Sequence, residues 1–90
     1  MGELHDDGAG RLQMAEGDQI VFADYRRVGR RLIIDHVEAP VALRGTGAAG
    51  RFMQALAAMA RRNGEVIVPL CSYAAHWLSR RPEEAVGIVE

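Results

Sequence analysis

The stretch that decides the fold runs from Arg31-Leu32-Ile33-Ile34-Asp35-His36-Val37 through Arg44-Gly45-Thr46-Gly47-Ala48-Ala49-Gly50 to Val66-Ile67-Val68. Leu32, Ile33 and Ile34 form a short apolar run typical of a strand. Pro40 ends it, because proline cannot donate to a ladder. After the glycines, Phe52, Leu56, Met59 and Ala60 recur at i, i+4, i+7 and i+8, one apolar stripe of a helix spanning about residues 48–62. Asn63-Gly64 is a C-terminal stop, and Arg61 and Arg62 suit the negative end of the helix dipole. Val66, Ile67 and Val68 are β-branched and few, hence a buried strand. Strand, glycine loop, helix and strand make a β-α-β unit, with parallel strands and a right-handed crossover.

Upstream, Leu12 and Met14 mark a short first strand before the turn at Glu16-Gly17-Asp18. Gln19 to Val28 reads as a second strand, ended by Gly29, and residues 31–37 as a third. Connections this short predict an antiparallel meander. Residues 1–10 lack periodicity and read as a flexible tail, leaving 11–90 as one domain. Downstream, Cys71-Ser72 leads into a short helix over about 73–81, closed by Pro82, and Gly87-Ile88-Val89 offers a terminal strand or a surface segment. The fold class is α+β: a mixed sheet in which an antiparallel β-meander precedes the β-α-β unit and a short C-terminal helix.

The 90 residues are 49% hydrophobic and 26% charged, an ordinary composition for a globular domain. No apolar run approaches the ~18–20 residues of a membrane span. The acidic start, Glu3 to Asp7, is unlike a secretory signal, so a cytoplasmic location is expected. One cysteine excludes an internal disulfide framework and a thiolate zinc cluster. A net charge of −1 argues against a nucleic-acid binder. All eleven cationic residues are arginines, so no lysine is available as Schiff base, general base or self-acetylation site.

Gly45, Gly47 and Gly50 free the backbone to present N–H groups to an anion, and the helix start adds its positive end. A pyrophosphate is the natural guest, with Arg44 as a cationic contact; a plain flexible connector is the competing reading. The glycine spacing also matches the dinucleotide fingerprint. That fingerprint needs its first glycine directly off the strand, whereas residues 40–44 intervene. Its acid would be Glu65, which stands at the start of the next strand rather than the end. A phosphate loop of the Gly-Lys-Ser/Thr type is excluded, since no lysine follows.

Arg44-x-x-Gly47-x-Ala49 resembles the Arg/Gln-x-x-Gly-x-Gly/Ala signature of GCN5-related N-acetyltransferases, which lies at the acetyl-CoA pyrophosphate. Pro69-Leu70-Cys71-Ser72-Tyr73 is similar to the Pro-x-Cys-x-Tyr element of the small YjdJ-like group in that family. His36, Pro40, Arg44, Gly45 and Gly47 match a His-Thr-x-Val-Pro and Arg-Gly-x-Gly run in the same group, with Val37 and Ala39 replacing its Thr and Val. Arg80-Arg81-Pro82 resembles the group's ending, and the resemblance spans about residues 11–89.

The resemblance implies acetyl-CoA as cofactor, cradled by Arg44, Gly45, Thr46, Gly47, Ala48, Ala49 and Gly50, and an amine acceptor of unspecified kind. It makes Cys71, at a strand-to-helix junction, a candidate to receive or steer the acetyl group; otherwise it is a small buried hydrophobe. His36, near where the parallel strands should splay, is a candidate general base. Glu38 shares its strand face and is the alternative base. Tyr73 could protonate the departing thiolate. Met14, Met53, Met59 and Trp77 read as core, His76 as a solvated helix residue, and the arginine pairs as mostly solvated. The implied function is N-acetyl transfer to an amine, with a protein or peptide as one candidate acceptor, by a monomer or weak homodimer. The alternative is a non-catalytic CoA-binding or interaction module.

Overall fold

The computed structural model describes residues 2–90. Its sheet has the order β1 (His5–Asp6), β2 (Arg11–Glu16), β3 (Gln19–Val28), β4 (Arg31–Glu38) and β5 (Val66–Pro69). β1 to β4 are antiparallel, and β4 and β5 are parallel, Arg31 opposite Val66 and Ile34 opposite Pro69. Between them lie a 3-10 turn at Val41–Leu43 and helix α1 (Ala48–Asn63); α2 (Ser72–Ser79) and α3 (Pro82–Ala85) follow β5. The meander, the parallel pair and the long helix are as read from the sequence.

One face of the sheet, Leu12, Met14, Val21, Ala23, Leu32, Ile34 and Ile67, is buried. Phe52, Met53, Leu56 and Ala60 of α1, and Ala74, Trp77 and Leu78 of α2, share one core with it. Each fully buried Leu or Phe there contributes roughly 1.5–3 kcal/mol of transfer free energy. Gly64, at φ 68°, caps α1 by donating to Ala60 and Arg61 carbonyls, a conformation glycine adopts without strain.

Three features differ from the sequence reading. The expected loose tail contributes β1: His5 and Asp6 pair with Gln13 and Leu12, and the Gly2 N–H donates to the Ala15 carbonyl at 2.8 Å. Asp6 is clamped there by Arg27 at 2.8 Å and by the Tyr25 hydroxyl. Burial opposes ionisation of Asp6, but Tyr25 and Arg27 outweigh it and hold the carboxyl below its usual range. Arg27 is thus not a solvated arginine. It also donates to Glu65 at 2.6 Å, and this largely buried carboxylate takes a further bond from Asn63. Secondly, Pro82 closes α2 but also opens α3, at the first helical position where its missing N–H has no cost. Thirdly, residues 87–89 form no full strand; one parallel bridge joins Val89 to Ile67.

The register of β4 sets up the site. Tyr25 pairs with Ile34, but Asp24 pairs with His36, leaving Asp35 as an extra residue. Asp35 is held by two bonds of 2.8 Å from Arg26, which keep its carboxyl below the usual range. Such a bulge shifts the alternation by one residue. His36 and Glu38 therefore turn to the face away from α1, opposite Asp24 and Phe22, while Val37 turns inward beside Ala23.

Candidate active site

Parallel pairing of β4 with β5 stops at Ile34 and Pro69. The Ile34 carbonyl then accepts from both Leu70 and Cys71, at 3.0 and 3.1 Å, and β5 turns away into α2. Beyond that point β4 has no partner on its β5 side among the described residues. The opening is a cleft of about 300 Å³ lined by Val37, Glu38, Ala39, Arg44, Ala49 and Tyr73. These residues, 36 apart in sequence at the extremes, are brought together by the β-α-β crossover.

Arg44 and Ala49, at the two ends of the glycine loop, line one wall. Gly45 and Gly47 have φ of 79° and 82°, where glycine is unstrained. The Thr46 N–H donates to Leu43, its hydroxyl donates to the same carbonyl at 2.6 Å, and the hydroxyl accepts from Ala48 N–H at 3.3 Å. The Ala48 side chain is buried in the core. Thr46 and Ala48 therefore build the loop from within. The N–H groups of Gly45, Gly47, Ala49 and Gly50 have no acceptor among the described residues. Arg44 lies exposed at the mouth without an acidic partner among them. Four free donors at a helix start, plus one free guanidinium, fit a pyrophosphate. Gly50 also leaves room for the Trp77 indole, whose nitrogen would stand 3.5 Å from a Cβ at that position.

On the opposite wall stands Glu38, whose Oε1 is 2.7 Å from His36 Nε2, each side chain 53% exposed; His36 itself lies outside the cleft lining. Phe22 meets the imidazole edge-on, with ring centroids 6.5 Å apart. The pair expected from strand alternation is thus formed, with Glu38 nearer the cleft. Tyr73 stands on the first turn of α2. Burial pushes its hydroxyl up; Arg81 opposes this and Cys71 reinforces it. A raised pKa keeps the phenol protonated, the state a proton donor needs.

Cys71 caps α2, half-buried and packed against the core, and does not line the cleft. Iodoacetamide should alkylate Cys71 in the free protein, with CoA slowing the reaction several-fold. An alkylation rate that saturating CoA leaves unchanged would remove Cys71 from the site.

Two other features bear on the site. Glu65, the acid required by a dinucleotide fingerprint, is bound to Arg27 on the far side of the sheet end. The largest depression, about 620 Å³, runs between Gly2–Leu4 and the Gln54, Ala58 and Arg62 side of α1; it holds none of the free loop donors. Among the described residues no cluster of three or more His, Cys, Asp or Glu could hold a metal, and no helix is long and apolar enough to cross a membrane.

Sequence reasoning overlooked Arg51 and Glu16. Arg51 donates to the Thr46 carbonyl at 3.0 Å and to Glu16, whose side chain is 8% exposed. Nothing local signals a contact between residues 35 apart.

Comparison with known proteins agrees with this fold. The fold superimposes on the NMR solution structure of a GCN5-like candidate N-acetyltransferase from Staphylococcus aureus with a TM-score of 0.66 and 21% identity, covering 98% of this chain and 87% of that one. No curated protein matches the chain. The sequence profile of the GCN5-related N-acetyl-transferase family matches residues 11–86, so the chain belongs to that family of acyltransferases.

Proposed function

We propose that the chain transfers an acetyl group from acetyl-CoA to an amine acceptor. The observation that carries this reading is the set of N–H groups at Gly45, Gly47, Ala49 and Gly50 without an acceptor among the described residues, on the loop whose Arg44 and Ala49 line the gap between β4 and β5. When bound, acetyl-CoA would supply the acetyl group activated as a thioester. The loop donors and Arg44 would hold its pyrophosphate. Backbone groups of β4 beyond Ile34 are free to hold the thioester carbonyl. Glu38 meets the incoming ammonium, and the His36–Glu38 pair takes up its proton, leaving a nucleophilic amine. Tyr73 protonates the departing thiolate. Cys71 is the candidate for a covalent route, in which its thiolate accepts the acetyl group before the amine does.

The sheet face that carries His36 and Glu38 has no helix packed on it among the described residues. An acceptor there approaches from open solvent, which suits the amine of a peptide or protein. The same openness favours the second reading, a CoA-binding or interaction module without turnover.

Calorimetry with CoA, then thiol release from acetyl-CoA against a panel of amines and peptides, separates the two. Binding with thiol release is expected; binding without release across the panel supports the second reading. Failure to bind CoA, or preference for NAD, would refute both.

A further inference from the structure

We infer that Arg51 is the positioning residue of the glycine loop, setting the direction in which Gly47 presents its N–H without itself touching the cofactor. The inference rests on the acetyl-CoA reading above. Arg51 Nη1 donates to the Thr46 carbonyl at 3.0 Å, and its backbone N–H donates to the Gly47 carbonyl at 3.0 Å. Both peptide planes that flank Gly47 are therefore pinned by one residue. In a trans peptide the carbonyl and the next N–H point opposite ways. With the Thr46 carbonyl turned toward Arg51, the Gly47 N–H must turn away from it, and that N–H has no acceptor among the described residues.

The rest of the guanidinium is committed elsewhere. Nε lies 3.0 Å from Glu16 Oε1, and Nη2 donates to the same oxygen. Glu16, on the last residue of β2, is more than nine-tenths buried in its side chain. The charge of Arg51 is thus neutralised from behind, unlike that of Arg44, and its work at the loop is orientation. The fit is close: a Cβ on Gly47 would stand 3.1 Å from Nη1. Free rotation of the Thr46–Gly47 peptide would point a carbonyl rather than an N–H at the phosphate, converting a donor to a repulsive acceptor.

Loss of the anchor should weaken ligands that carry a pyrophosphate and spare those that do not. Arg51→Gln alone leaves Glu16 as a buried, unpaired carboxylate and is liable to unfold. The double variant Glu16→Gln/Arg51→Gln leaves no buried charge and keeps the measurement possible. Amide NMR titrations of wild type and double variant with CoA and with pantetheine, which lacks the pyrophosphate, provide the test. Expected is about a tenfold loss of CoA affinity, the scale of one hydrogen bond to a charged group. Pantetheine affinity should be unchanged, and the Gly47 amide should cease to shift with CoA. Equal weakening of both ligands would make Arg51 a general structural residue and overturn the inference, as would unchanged CoA affinity. A wild-type chain that binds no CoA would instead overturn the acetyl-CoA reading, and this inference with it.

Discussion

Gly47→Asp should abolish the thermal stabilisation that CoA gives the wild-type chain. A ligand at about 100 times its Kd adds about 2.7 kcal/mol to stability, or ~10 °C or more in Tm for a domain of this size. The substitution acts in three ways at once. Gly47 sits at φ 82°, which costs a residue with a Cβ about 1–2 kcal/mol. The new Cβ crowds Arg51 Nη1. The carboxylate then occupies the N–H donors as an internal acceptor and repels a pyrophosphate. Losing ~3 kcal/mol of binding, more than 100-fold in Kd, cuts that gain to about 0.3 kcal/mol and leaves almost no shift. Gly29→Asp is the control, because Gly29 also has positive φ, at 59°, but nothing lies within 4 Å of a Cβ there. That variant should lose stability yet keep its response to CoA. If Gly47→Asp responds to CoA as the wild type does, the loop does not hold the pyrophosphate.

His36→Ala should lower turnover by roughly 10²–10⁴-fold, the usual contribution of a general base. CoA affinity should barely change, since His36 is not among the residues that line the cleft. Folding should also be nearly unaffected: the imidazole is half exposed and bonded only to Glu38 among the described residues. A stable variant with wild-type turnover would clear His36 of the role and pass it to Glu38, tested by Glu38→Gln. A variant that melts earlier but keeps its specific activity per folded molecule would make His36 structural.

The β-α-β unit and the loop were legible because their signals are local. A helix stripe repeats within two turns, and Gly45, Gly47 and Gly64 stand where the backbone takes positive φ. Strand alternation likewise put His36 and Glu38 on one face. It could not say which face, because the extra residue at Asp35 becomes visible only once β3 is paired with β4. The contacts that stayed hidden all span long stretches of chain. Arg51 meets Glu16, Arg27 meets Glu65, and β1 finds β2 through Asp6, Tyr25 and Arg27. Each rests on side chains whose types are common on any surface. Pro82 shows a different gap: the same residue that stops one helix is favoured at the start of the next.

Sheets of this kind have two outer edges, and an exposed edge invites a foreign strand. Here β1 and Gly2 cover β2, while Ile88 and Glu90 bond to Ile67 at 2.6 and 3.0 Å and cover β5. An extended peptide therefore finds only short rims along which to add itself, a two-residue β1 and a β5 already bonded at Ile67. The unpaired strand backbone lies inside the sheet instead, on β4 past Ile34. Any guest that binds by main-chain pairing must enter that gap, so an extended acceptor and the arm of a thioester would compete for the same row of hydrogen bonds, and an acceptor that avoids the competition must be gripped by its side chains or its amine alone.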